Sequence, residues 1–200
     1  MKRMNNYINE KLKLGKHLLS ARYAYYPKTN QELRNIITEK IKEFNSSNTI
    51  DKNNIVLNFN DIDVHDIDDF SYVFHNLNYI IKIDISQWNV SKAKSFQSMF
   101  SCSAELITTG DLSRWNTHNV ENMNNMFCGC RSLTDIGDIS GWDFSNVNDM
   151  QFAFAHCEKL KFIGDVSWDF LKNVKHSKKI FYDSNYLINT FSDEFISKYC

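Results

Sequence analysis

The chain has 200 residues, of which 42% are hydrophobic and 24% charged, and its formal net charge at pH 7 is -1. This length and apolar content are enough for one elongated domain with a buried core. No run of 18 apolar residues occurs, and the first 16 residues are largely polar and charged without the apolar core of a signal peptide, which argues against a membrane span and a secretory signal, so we expect a cytoplasmic protein.

Residues 1–54 are predicted to form an N-terminal helical cap. Residues 5–14 have one apolar side and predict a first helix, and residues 23–26 are expected to be extended because Pro27 follows. Thr29 and Glu32 have the spacing of a capping box, which predicts the start of a second helix. The apolar side of this amphipathic helix consists of Leu33, Ile36, Ile37, Ile41 and Phe44.

Residues 55–191 contain a phrase that returns about every 27 residues. It reads Gly-Asp-Leu-Ser-Arg-Trp at 110–115 and Gly-Asp-Ile-Ser-Gly-Trp at 137–142. Two rows of identical residues mark the period, namely Asp84, Asp111, Asp138 and Asp165, and Trp88, Trp115, Trp142 and Trp168. A degenerate earlier unit begins near Asn58, which makes five units. Such self-similarity is typical of stacked supersecondary units that bury an apolar face against each other.

Within a unit, the spacing of apolar residues changes. Val120, Met123, Met126 and Phe127 stand at i, i+3, i+6 and i+7, which predicts a short helix, and residues 136–139 predict a short strand. We therefore expect an α/β fold, a leucine-rich-repeat-like solenoid of about five strand-helix units. Residues 192–200 are predicted to cap its C-terminal end.

These residues resemble the BspA-type leucine-rich repeat family over roughly residues 55–191. The resemblance rests on the Gly-Asp-Ile/Leu-Ser-x-Trp-Asn/Asp phrase, followed by Val-x-x-Met-x-x-Met-Phe and then a Cys and a Leu. It implies a leucine-rich-repeat-like solenoid used for protein binding, in many members on a cell surface. The missing secretion signal is a departure from that pattern.

The tryptophan and aspartate rows each allow two interpretations. The tryptophans are expected to pack between neighbouring units, the alternative being a ligand platform. The aspartates are expected to accept backbone N–H bonds at their turns, whereas a calcium site would need more oxygen ligands in each turn.

The candidate binding residues are those that vary between units while their surroundings repeat. We predict a binding surface consisting of Lys82, Gln87, Thr108, Arg114, Asp135 and Phe162, together with a basic patch of Lys172, Lys175 and Lys179 on one helical face. Residues 45–171 hold 8 Lys/Arg against 17 Asp/Glu, so the body is acidic. Direct nucleic-acid binding is not favoured, because no aromatic platform or phosphate-binding glycine motif accompanies the lysines.

No metal site, cofactor or catalytic residue is predicted. The five cysteines are odd in number and are expected to be free thiols, and the spacing of Cys128, Cys130 and Cys157 is not a known zinc pattern. No nucleophile motif or phosphate loop occurs, which argues against an enzyme.

The sequence thus favours a protein-protein interaction module that binds a protein partner through the repeat surface. One alternative is a phage-encoded inhibitor of a host defence enzyme, anti-CRISPR-like and acting by occlusion in the host cytoplasm. In that case the acidic body would face a nucleic-acid-handling enzyme. A further alternative is a surface adhesin-like repeat protein, disfavoured by the missing secretion signal.

Overall fold

The computed structural model describes residues 23–46, 54–77, 79–189 and 191–200. The helix predicted over residues 5–14 lies outside these ranges. The described elements, in chain order, are α1 (Asn30–Ser46), β1 (Leu57–Asn58), β2 (Ile83–Asp84), a 3₁₀ helix (Trp168–Asn173), α2 (Asn185–Ile188) and α3 (Asp193–Tyr199). None of the helices in these ranges is both long and apolar enough to cross a bilayer.

The predicted solenoid of five strand-helix units is wrong. No helix occurs among the described residues between 55 and 167, where turns and irregular backbone dominate. Regular sheet in the described chain is limited to β1 and β2, which pair in parallel with Leu57 opposite Ile83 and Asn58 opposite Asp84. The α/β class therefore does not describe this part of the molecule.

The stretch from Met123 to Cys130 shows why the predicted helix does not form. Alternate N–H groups donate to carbonyls about 26 residues later instead of to carbonyls four residues earlier. These bonds of 2.8–2.9 Å join Met123 to Asp149, Asn125 to Gln151, Phe127 to Ala153 and Gly129 to Ala155. The intervening N–H groups close short turns, as that of Met126 does on the carbonyl of Met123 at 3.1 Å. The backbone donors are thus satisfied without a helix.

Successive turn segments of about 27 residues lie side by side and are joined by single parallel β-bridges. One row of bridges runs through Asp69, Ser95, Asn122, Asp149 and His176, and a second runs through Lys82, Thr108 and Asp135. Each segment alone forms very little regular structure, so its backbone is held mainly by its neighbours.

Phenylalanine rings stack through the centre of these segments. The rings of Phe74, Phe100, Phe127, Phe154 and Phe181 lie 5.0–5.6 Å apart between neighbours, with interplanar angles of 2–15°. All five are 0–2% exposed. Their burial removes large apolar areas from water and supplies much of the core.

Helices cover both ends of the described stack. At the first end, Leu33 and Ile37 of α1 are buried in the core, and Lys40 Nζ lies 2.8 Å from Asp61 Oδ2. At the last end, the Ile180 N–H donates to the carbonyl of Tyr199 in α3 at 2.7 Å. At the last end, a backbone donor that a further segment would otherwise satisfy is in this way bonded by the helix.

Candidate recognition surface

Four of the predicted binding residues lie in one row across the segments. Parallel bridges join Lys82 to Thr108 and Thr108 to Asp135, and Phe162 follows at the equivalent position of the next segment, directly before Ile163. Val56, which the sequence did not single out, lies at the same position before β1, because Leu57 pairs with Ile83. We call Val56, Lys82, Thr108, Asp135 and Phe162 the anchor row.

The anchor row has apolar ends and a polar middle. Val56 is 47% exposed and Phe162 60% exposed, so both present apolar area to solvent. Between them, Thr108 Oγ1 and Asp135 Oδ1 accept hydrogen bonds from the Gly110 and Gly137 N–H groups at 3.1 and 2.9 Å. These bonds hold the two polar side chains against the turn beside the row, so their conformations are fixed before any partner arrives.

Gln87 and Arg114 lie beside this row and not in it. Both are exposed, and the N–H of Gln87 donates to Asn60 Oδ1 of the preceding segment at 2.9 Å. Gly141 holds the equivalent position in the next segment and has no side chain. Gln87 and Arg114 therefore add exposed polar side chains next to Lys82 and Thr108, whereas Gly141 adds none next to Asp135.

The aspartate row forms turns between the anchor row and this flank. Asp84, Asp111 and Asp138 each accept a hydrogen bond at Oδ1 from the N–H two residues later, at 2.8–2.9 Å. Burial opposes the ionisation of Asp84, but hydrogen bonds from Ser86 and Asn60 outweigh it and hold the pKa of Asp84 below its usual value. The side chain and backbone of Ser140 lower the pKa of Asp138 in the same way. Asp165 is exposed at the end of the row.

The tryptophan row is almost entirely interior. Trp88, Trp115 and Trp142 are 3–5% exposed, whereas Trp168 is half-buried among the phenylalanines near the C-terminus. Trp88 Nε1 donates to the Phe59 carbonyl at 2.9 Å and Trp142 Nε1 to the Leu112 carbonyl at 3.0 Å. Trp115 Nε1 is buried and has no partner among the described residues. The indole faces are thus not available as an open ligand platform.

The three lysines of the predicted basic patch do not share a helical face. The 3₁₀ helix that contains Lys172 ends at Asn173, and Lys179 lies in a turn with a φ of 56°. Lys175 is exposed between them. The ammonium group of Lys179 lies 5.1 Å from the ring centre of Tyr182 and 5.9 Å from that of Phe152, at cation-π distance.

A second surface, whose side chains are exposed at its ends and half-buried in its middle, was missed because its residues are at or beside left-handed turns. Each segment from Tyr72 to Asp183 contains a pair of residues, four positions apart, that both have a positive φ, such as Asn125 and Gly129 at 56° and 78°. We call the side chains at and beside these turns the turn face, with the residues Ser71, Tyr72, His75, Gln97, Asn124, Cys128, Gln151, Phe152, His156, Lys178, Lys179 and Tyr182. No periodicity rule for helices or strands identifies this geometry.

Aromatic pairs stand at both ends of the turn face. The rings of Tyr72 and His75 meet edge to face at 5.6 Å, and those of His156 and Tyr182 at 5.4 Å. Gln97 Nε2 also donates to Tyr72 Oη at 3.2 Å. The two ends are therefore similar in chemistry although they come from segments far apart in sequence.

Exposed ion pairs connect neighbouring segments on the remaining surface. Asp66 contacts both Lys28 and Lys92, and these cations hold the pKa of the Asp66 carboxyl far below its usual range. His118 Nδ1 lies 2.7 Å from Asp143 Oδ2 and, together with bonds from Ser145, lowers the pKa of Asp143 to about 2.

All five cysteines are free, and their environments differ. Cys102 is exposed, whereas Cys130 and Cys157 are completely buried and burial raises the pKa of both thiols. In the described part of the chain, no three His, Cys, Asp or Glu side chains are grouped so that they could hold a metal ion.

A family model described as Mycoplasma protein of unknown function, DUF285, matches residues 39–161 and, in a second overlapping match, residues 68–195. No curated protein and no solved structure matches the chain.

Proposed function

Given that the chain belongs to the DUF285 family of Mycoplasma proteins of unknown function, we propose that it is a protein-protein interaction module without catalysis. The protein partner binds across the anchor row, with Gln87 and Arg114 at its edge. The observation that carries this proposal is an aligned row whose side chain differs in every segment, exposed at Val56, Asp135 and Phe162 and half-buried at Lys82 and Thr108, above a core whose side chains repeat.

The chemistry of the row supports a protein partner. Interface energy is concentrated in a few large apolar anchors surrounded by polar contacts. Phe162 and Val56 supply exposed apolar area at the two ends, and Lys82 and Asp135 supply opposite charges between them. Lys161, the residue before Phe162, places its Nζ 5.1 Å from the ring centre of Tyr186, so a second exposed aromatic residue lies near this end of the row.

The backbone under the row is fixed before binding. Lys82, Thr108 and Asp135 are bridged in register, and residues on such a scaffold lose little conformational entropy when a partner binds. The resemblance of the repeat phrase to BspA-type proteins also supports protein binding. The inhibitor and adhesin alternatives stay predictions.

The test is affinity capture from a lysate of the source organism with tagged wild-type protein, followed by binding measurements with each captured partner. Phe162→Ala is expected to weaken the true complex by about 2 kcal/mol, roughly 30-fold in dissociation constant. Tyr79→Ala is the matched control, since Tyr79 is 75% exposed and lies outside the row. Equal affinities of wild type and Phe162→Ala for every captured protein would remove the anchor row from the proposal.

A further inference from the structure

The charge of the surface around the turn face changes sign from one end of the stack to the other. At the first end, Asp68 and Asp69 are exposed, and neither carboxylate forms an ion pair within the described residues. At the last end, Lys175 and Lys178 are exposed and likewise have no acidic partner there. The first end therefore carries an excess of negative charge, and the last end carries an excess of positive charge.

The bridge row that connects these ends becomes complementary to itself when it is reversed. Its order is Asp69, Ser95, Asn122, Asp149 and His176. Four spacings of about 4.8 Å separate its ends by roughly 19 Å. A second copy placed antiparallel puts Asp69 opposite His176, and Asn122 opposite its own copy, where two amides can exchange hydrogen bonds.

The neighbouring rows of the turn face have the same property. One of these rows consists of Ser71, Gln97, Asn124, Gln151 and Lys178. When a second copy lies antiparallel, Gln97 of one copy faces Gln151 of the other, and Asn124 faces its own copy. Tyr72, which is 40% exposed, then faces Lys179, a residue that already lies over the rings of Tyr182 and Phe152. Tyrosine and lysine in contact form a favourable cation-π pair.

The middle of the turn face allows two copies to approach closely. The residues at the centre are small or short, and Gly129 has no side chain beside the half-buried Cys128. Bulky rings are found at the two ends, where reversal matches them with a cation or with another ring.

We propose that the turn face is the interface of a homodimer in which two copies lie antiparallel about a two-fold axis near Asn124. Such an isologous interface requires a surface that is complementary to itself, as this one is. The anchor row is a separate set of residues, so the dimer is independent of the proposed partner binding.

The first measurement is the solution mass by light scattering after size exclusion. At about 100 µM, a dimer with a dissociation constant near 1 µM is almost fully formed. The expected mass is twice the 23.5 kDa of the chain, falling towards the monomer on dilution or at high salt. A monomer at this concentration, or a series of growing oligomers, overturns the proposal.

Two charge variants then test the orientation. The first double variant, Lys175→Asp with Lys178→Asp, makes both ends of the face acidic. The second double variant, Asp68→Lys with Asp69→Asn, replaces the acidic end by a cation, so that both ends are basic. Asparagine retains the oxygen with which Asp69 accepts the Ser71 N–H. Each double variant alone is expected to dimerise about tenfold or more weakly, whereas an equal mixture forms a heterodimer. Failure of the mixture to associate overturns the antiparallel arrangement.

Matched controls separate this effect from net charge and from folding. Glu105→Lys and Lys159→Asp change the net charge in the same two directions at exposed positions outside the turn face and the anchor row, and the dimer should persist in both. Circular dichroism and thermal melting check that every variant folds.

The antiparallel arrangement also brings exposed Glu121 towards its own copy, so Glu121→Gln should tighten the dimer, and a weaker dimer in that variant contradicts the proposed axis.

Discussion

The carboxylate of Asp111 occupies the space in which a side chain on Gly137 would begin. A Cβ atom on Gly137 would collide with Asp111 Oδ1 and would also lie 3.2 Å from the Leu112 nitrogen. The φ of Gly137 is 82°, a conformation that L side chains rarely adopt. The turn of one segment therefore rests directly on the backbone of the next, and the aspartate and glycine of the repeat phrase form one packing unit.

Gly137→Ala is expected to lower the free energy of unfolding by about 3 kcal/mol or more, because left-handed strain adds to the collision with Asp111. Urea denaturation provides the measurement. Gly129→Ala is the first control, since its φ is 78° but its Cβ would meet only ordinary contacts at 3.6 Å; about 1–2 kcal/mol is expected. Gly141→Ala, in open space without a positive φ, should be neutral or slightly stabilising. Equal effects at Gly137 and Gly141 would refute this packing account.

Replacing a tryptophan of the row by alanine should lower the free energy of unfolding far more than removing only its indole N–H group. Trp142→Ala is expected to destabilise the protein by about 3–5 kcal/mol, because it leaves a cavity between neighbouring segments. A cooperative thermal unfolding transition near that of the wild type would contradict this expectation.

The indole N–H groups allow a finer comparison between two tryptophans. Trp142→Phe loses the hydrogen bond to the Leu112 carbonyl, whereas Trp115→Phe removes a buried N–H that has no partner among the described residues. We therefore expect Trp115→Phe to cost about 1 kcal/mol less than Trp142→Phe in denaturant titrations. The reverse order would show that Trp115 Nε1 is bonded in solution.

The contact between His118 and Asp143 should make the free energy of unfolding depend on pH in the acidic range. Because the pKa of Asp143 is lowered to about 2 in the folded protein, its contribution is complete above about pH 4 and is lost as the pH falls through 2. Solvent screening keeps this contribution below about 1 kcal/mol. In His118→Ala, the Asp143 pKa should rise but not reach the unfolded value, since the Ser145 bonds remain.

Carboxyl NMR titration of Asp143 in the wild type and in His118→Ala provides the measurement. His118→Gln serves as the control, because glutamine retains a hydrogen-bond donor but no charge. An Asp143 titration that is unchanged in His118→Ala would show that the serine alone sets its pKa.

Thiol labelling at pH 8 should separate the cysteines by burial. In dilute protein, where the monomer prevails over the proposed dimer, Cys102 is exposed and is expected to react first, whereas Cys200, whose pKa burial raises to about 11, reacts slowly. Cys130 and Cys157 should react only after unfolding. Single Cys→Ser variants identify each kinetic phase. Fast labelling of Cys130 in the native protein would mean that the segments open locally.

The start of helix α1 and the side that it turns to the core could be predicted from the sequence. Thr29 Oγ1 accepts the Glu32 N–H at 3.2 Å, and Leu33 and Ile37 of the predicted apolar side are buried. The Glu32 carboxylate accepts the N–H of Lys28 at 2.8 Å, one residue earlier than a capping box places it. Local signals were sufficient here because a helix satisfies its own backbone.

The repeat segments could not be predicted in the same way. The spacing of Val120, Met123, Met126 and Phe127 fits one side of a helix, but it fits equally well a series of turns that points the same residues inward. All four residues are 0–1% exposed, so the apolar pattern identified the core correctly although the predicted backbone was wrong. Val56 is assigned to the anchor row only because Leu57 pairs with Ile83, and no local sequence pattern predicts that pairing.

The sequence by itself determined the period, the residues that face the core and the first described helix, because burial of apolar side chains and local capping depend on residue type and spacing. The tertiary structure alone decided the backbone path of each segment, since the N–H of Asn125 bonds to the carbonyl of Gln151 in the next segment and not within its own. It also decided which surface residues lie together, because Tyr72 and Lys179 belong to one face only after the segments have stacked.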